Sequence, residues 1–315
     1  MRRQLLVTIA TMMIVGTANA QRPTMDQVRQ ELEWYRTRAL PILSEVRDEL
    51  RVTLTDEQRA IESTISYRIV LGGNCNAVAR IMDGERTIET TAGFIQVIDW
   101  VATALAIGER FGAAECLDAY MHSLTEGILD NSDRIAAHER LRLVMSPLIF
   151  VRDNRDVCPS INEASFRAKH GADEMREMLL RGGLKFLAAH ELAHHIFGHV
   201  GRRPNNVDSI REQERRADQF AFERMGLSHT NPINAMPVLL LYGSLEGFSI
   251  EGEDTRDHPA GVRRFATMLE AAERLINANG AAVAAMRRDG SYERFVTGVR
   301  QMREQLSNME KEQEK

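Results

Sequence analysis

The chain of 315 residues predicts a mostly helical α+β fold with a small β-sheet. Three observations carry that expectation. Apolar residues recur at helical intervals over most of the length, only two short runs suit a β-strand, and no internal repeat is present that would build a helical-repeat scaffold. The length allows one large or two small domains with a hydrophobic core. Apolar residues make up 43% and charged residues 27%, ordinary values for a soluble globular protein.

The first twenty residues carry the marks of an export signal. Arg2 and Arg3 form a positive start, Leu5 to Val15 an apolar stretch, and Ala18-Asn19-Ala20 a site for cleavage after Ala20. The apolar stretch is short for a permanent membrane span. The expected location is therefore the periplasm or the exterior, with no requirement for membrane contact. Loss of the two arginines takes the formal charge from −5 to −7. So mildly acidic a chain gives no reason to expect nucleic acid as a partner.

Residues 21–72 read as an N-terminal helical segment. Val28, Leu32, Tyr35, Ile42, Val46 and Leu50 mark a helix that Pro41 is expected to break or kink. A second helix is expected from Thr55-Asp56-Glu57 to about Val70, ended by Gly72-Gly73. Residues 73–278 form the main domain. In it, Arg86 to Thr91 reads as a strand, and Phe94 to Ile107 as a core helix rather than a membrane span, by its length and its internal Asp99. Ser146 to Val151 reads as a second short strand. Residues 279–315 form a C-terminal helical tail, charged and solvated from Ser291 onward. Of Cys75, Cys116 and Cys158, an exported protein can pair two, and the sequence does not choose which. None has a Cys or His neighbour at metal-ligand spacing.

The stretch from Leu184 to Ile196 is the most informative. Leu184, Leu187, Ala188, Leu192 and Ile196 recur at helical spacing, which puts His190 and His194 one turn apart on one face. Two imidazoles so placed can bind one zinc ion, and Glu191 beside them can take a proton from a water on the metal. A short motif of this kind needs context. Ser209-Ile210-Arg211-Glu212 has the form of a capping box opening a second helix to about Met225. Glu214 and Asp218 lie one turn apart on that helix, and the small Ala217 permits close approach. Glu214 can complete a two-His, one-Glu site with a fourth position open, as catalytic zinc requires. Asp218 is suited to accept the spare N–H of a ligand histidine. His195 and His199 fall off the ligand face and read as surface residues or as residues behind the ligands. The third histidine of the metzincin pattern is missing, since Val200 stands in its place.

His190-Glu191-Leu192-Ala193-His194, then Glu214-Arg215-Arg216-Ala217-Asp218, then Asp257-His258-Pro259 with Arg264 beyond, resembles the signature of the HtpX and CaaX-prenyl-protease type of zinc peptidases. These are gluzincins, whose third metal ligand is a glutamate. The resemblance implies a zincin-like metallopeptidase domain with an active-site helix pair, one Zn2+ held by His190, His194 and Glu214, and Asp218 behind the ligands. It also implies that His258 and Arg264 lie near the site, with an oxyanion-stabilising or a structural role. A weaker likeness at Asn76-Ala77-Val78, Ile88 and Gly93-Phe94 makes residues 112–182 an insertion.

The function expected is that of a soluble, exported zinc metalloendopeptidase. Glu191 would be the general base and acid, and the substrates would be proteins or peptides, misfolded envelope proteins among them. Two other readings compete. One is a zinc-containing binding or chaperone-like protein without turnover, against which the intact Glu191 speaks. The other is a cytosolic repressor-cleaving metallopeptidase, against which Asp218 and the export signal speak.

Overall fold

The computed structural model describes residues 24–137, 139, 142, 144–201, 204, 206–246, 259–280 and 291–313. The export segment with Ala20 lies outside the described residues, and so does His258. Helices dominate and the sheet is small, as the sequence predicts; among the described residues it has three strands. Two compact units divide the chain: Met1–Glu45 with Ser66–Arg181, and Val46–Ile65 with Gly182–Lys315.

Helix α1 (Met25–Arg51) is not broken at Pro41. A proline inside a helix removes one N–H and crowds the carbonyl four residues back. Pro41 and Thr37 are both exposed, so water can serve that carbonyl. Helix α2 (Asp56–Glu62) begins with a capping box between Thr55 and Gln58, a feature contributing about 1 kcal/mol. It then stops earlier than expected, because Ile65–Val70 is a strand, β1. Ile61, Ile65 and Ile69 are four apart, which suits a helix face but is also twice the strand period. The β-branched Thr64, Ile65, Ile69 and Val70 favour the strand.

In the first unit, β2 (Ala77–Met82) and β3 (Glu85–Thr91) form an antiparallel hairpin in register from Ala77 opposite Thr90 to Met82 opposite Glu85. Asp83 and Gly84 both have positive φ, as a two-residue hairpin turn requires. The sheet order is β1-β3-β2. Thr91 then caps α3 (Ala92–Arg110) by accepting from the amide of Phe94. Every residue from Ala92 to Ile107 is buried, so α3 is a core helix despite being long and apolar enough to cross a membrane. Its Asp99 is compensated: Arg176 donates to both carboxylate oxygens at 2.9 and 3.3 Å, and Tyr35 and Arg38 reach it at 3.4 Å.

Helix α4 (Ala114–Ala136) is followed by α5 (Pro147–Asp153), where a strand was expected. Pro147 explains the difference, since at the first helical position its fixed φ is already correct and its missing N–H costs nothing. Then comes α6 (Glu163–Ala168). Cys116 on α4 is bridged to Cys158, 42 residues on, a closure that stabilises by about 4 kcal/mol on the chain-entropy account.

The second unit is built on the end of α7 (Ala172–Ile196). Instead of burying one stripe, α7 is buried at every residue from Gly182 to Ala193. Fully buried Lys185 is accommodated by donating to Ser228 Oγ at 3.1 Å and Thr230 Oγ1 at 2.6 Å and by pairing with Glu49. Next come α8 (Val207–Leu227), a 3-10 turn (Pro232–Ala235), α9 (Met236–Glu246), α10 (Gly261–Ala278) and α11 (Ser291–Gln313). The helix α11 expected in the tail is anchored to α10 where Arg303 donates to Glu273 at 2.9 Å. Helix α8 starts before Ser209: Asn206 is the cap, accepting from the Ser209 amide at 2.7 Å.

Gly182 lets α7 approach the 3-10 turn. A Cβ there would sit 2.3 Å from the Asn234 Cβ and 2.6 Å from its carbonyl oxygen. Gly182→Ala should therefore destabilise the protein by about 1–3 kcal/mol in urea melts, and unchanged stability would show that the two elements can move apart freely.

Candidate metal centre

The centre is assembled by three helices of the second unit. Helix periodicity places His190 and His194 on one face of α7, their ring centroids 4.9 Å apart. Helix α8 lies against α7 through Phe222, whose ring stacks on Phe186 at 4.9 Å, and its small Ala217 is fully buried. This contact carries Glu214 and Asp218 to the histidines.

Three electron-rich groups converge. The Nε2 atoms of His190 and His194 are 3.2 Å apart. Glu214 Oε2 lies 3.1 Å from His190 Nε2, and its Oε1 lies 3.4 Å from His194 Nε2. Tetrahedral zinc with bonds of about 2.0–2.2 Å spaces its donors by about 3.3 Å or slightly more. The donor set and its spacing fit, so His190, His194 and Glu214 could hold one metal ion.

Behind the donors the charges are ordered. Asp218 Oδ1 is 3.0 Å from His190 Nδ1, so a neutral His190 carries its proton on Nδ1 and presents the Nε2 lone pair to the centre. Arg264, on α10, donates Nε to Asp218 Oδ2 at 2.7 Å and Nη2 to Oδ1 at 2.8 Å. Both side chains are 3% exposed. Burial works against the Asp218 charge, but the Arg264 guanidinium and the His190 hydrogen bond hold its carboxyl below the usual range. Burial likewise opposes a charged His190, but the hydrogen bonds to Asp218 and Glu214 prevail and push it up to about 10. The same negative field would attract a divalent cation.

Glu191 follows His190 on the same turn and is 7% exposed. Tyr242, on α9, lies under the Arg264 guanidinium at 4.9 Å, and burial, first of all, keeps its phenol protonated. His195 is buried rather than at the surface. His199 is brought to the centre by a route that helical periodicity does not describe: its Nδ1 is 3.1 Å from His194 Nδ1. The available signal is Gly198, two residues past the end of α7, which marks a chain reversal. Burial, and after it the charges of His194 and Arg216, lower His199 to about 4, so the ring is neutral near pH 7. Lys185 and Tyr242 carry no sequence signal, because neither stands in a motif.

Residues 137–285 match the model of a family described as Peptidase U49. The matched segment contains His190, Glu191, His194, Glu214, Asp218 and Arg264. The match indicates a peptidase, hence a hydrolase acting on protein or peptide substrates, and does not single out the HtpX and CaaX-prenyl-protease type. No curated protein and no solved structure matches the chain.

Truncating Arg264 to Met should leave the Asp218 charge buried with only His190 beside it. The expected loss is about 3–5 kcal/mol in thermal or urea unfolding. A loss below about 1 kcal/mol would mean that water reaches Asp218.

Proposed function

We propose that the protein is a zinc-dependent metalloendopeptidase in which His190, His194 and Glu214 hold the metal and Glu191 is the general base. The observation that carries this reading is the convergence of two imidazole nitrogens and a carboxylate at 3.1–3.4 Å, close to the donor spacing of tetrahedral zinc. Three acceptors facing one another need a positive charge between them, and a ligand set that leaves one position open suits a catalytic ion. The gluzincin resemblance agrees with this set.

When bound, the ion would supply Lewis acidity, lowering the pKa of a coordinated water towards about 7 and polarising the substrate carbonyl. Glu191 takes a proton as the water oxygen bonds to the carbonyl carbon. It returns that proton to the amide nitrogen as the C–N bond breaks, so that an amine and a carboxylic acid leave. Asp218 holds the His190 ring in the tautomer that offers Nε2, and Arg264 holds Asp218 ionised. With Nε and Nη2 both bound to Asp218, Arg264 acts in this reading as a positioning residue rather than as an oxyanion donor.

The proposed setting is the cell envelope or the exterior. The export segment motivates it, and the Cys116–Cys158 bridge supports it, because such bonds persist chiefly in oxidising compartments. Envelope proteins are the substrates this setting offers.

Glu191→Gln should retain one zinc per chain while casein hydrolysis falls by about 10²–10⁴-fold. Glu214→Ala should lose the metal, and a chelator should silence the parent chain until zinc is restored. Full activity in Glu191→Gln would sink the mechanism, and activity indifferent to chelator would sink the metal assignment.

A further inference from the structure

Helix α7 ends in a chain reversal that places a third imidazole against the candidate centre. Gly198 adopts the left-handed conformation, with φ of 68°. The His199 amide bonds to the His194 carbonyl at 2.9 Å, and the Gly198 amide to the His195 carbonyl at 3.2 Å. These two bonds define a Schellman cap with Gly198 as its left-handed residue. In such caps the side chain after the glycine usually makes an apolar contact with the residue five positions back. Here those two residues are His199 and His194, and the contact is polar: their Nδ1 atoms are 3.1 Å apart.

The ring of His199 is also held from behind. Phe197 lies against it at 5.6 Å between centroids, and Phe197 is itself fixed by the Phe220 ring at 5.6 Å and the Arg216 guanidinium at 4.6 Å. Arg216 and Phe220 belong to α8, the helix that carries Glu214 and Asp218.

From this geometry we infer that His199 is the positioning residue for His194, fixing which of its ring nitrogens faces the centre. The inference rests on the metal reading above. Two Nδ1 atoms at 3.1 Å require one donor and one acceptor. His194 must keep Nε2 unprotonated to serve as a ligand, so it is the donor, and His199 accepts with its own proton on Nε2. The centre is then braced asymmetrically: an ionised carboxylate orients His190, and a neutral imidazole orients His194. A neutral acceptor adds no negative charge, which leaves His194 the less electron-rich of the two ligands.

Two substitutions separate positioning from cap formation. His199→Asn keeps an acceptor, Oδ1, where Nδ1 stands. His199→Leu keeps only the apolar contact that a Schellman cap ordinarily makes, and so preserves the fold. Zinc affinity is measured by chelator competition, and the site is inspected through the visible spectrum of the cobalt-substituted protein. His199→Leu should weaken zinc binding by about 10–100-fold and alter the cobalt bands, while His199→Asn stays within about 3-fold of the parent with its bands unchanged. Parental affinity in His199→Leu, or equal losses in both variants, would overturn the assignment. A parent chain that binds no divalent cation would overturn the metal reading and this assignment with it, whereas a parent that binds zinc without hydrolysing casein would leave the assignment intact and remove only the catalytic claim.

Discussion

Two imidazole nitrogens and a carboxylate are held within 3.4 Å of one another, and the rest of the second unit is arranged around that constraint. Lone pairs at such distances repel unless a cation or proton lies between them, and every neighbouring group must tolerate the resulting field. Asp218 and Arg264 meet this demand. The carboxylate ties a histidine of α7 to an arginine of α10 from its own place on α8, so one buried pair joins three helices. In low dielectric such a pair is costly to dismantle one partner at a time, which favours a fixed ring geometry over a mobile one.

The helix that bears the histidines is itself unusual in being buried on all sides from Gly182 to Ala193. A helix buried all round must be apolar or must find partners for its polar groups. Lys185 finds them in Ser228, Thr230 and Glu49, and His190 finds them in Asp218 and Glu214. Partnered surroundings of this kind would suit the proposed metal site, because ligand angles tolerate little drift. The first unit shows the same pattern around Asp99, the one acidic group in the buried stretch Ala92–Ile107 of α3, matched by Arg176, Arg38 and Tyr35.

Where sequence and structure part, the reason is local ambiguity. Ile61, Ile65 and Ile69 satisfy two periods at once, and at β1 the chain adopts the strand period rather than the expected helical one. The apolar Leu148-Ile149-Phe150-Val151 suits a strand by composition, but Pro147 at the first turn makes it a helix. Ser209 has the form of a cap for α8, yet Asn206 is equally suited, stands three residues earlier and is the cap. His199 could not be placed by periodicity, because the helix ends before it.

The sequence by itself determined the mostly helical class, the core character of α3, and the common face of His190 and His194, because these depend on composition and on a period of 3.6 residues. It also placed Glu214 and Asp218 on one face of a single helix. Only the tertiary structure decided that this face meets the histidines, that Arg264 meets Asp218, that Cys116 pairs with Cys158, and that His199 turns back onto His194. The first three contacts join residues whose separation in the chain sets no distance between them, so packing had to bring them together, whereas the fourth is made by the local chain reversal at Gly198.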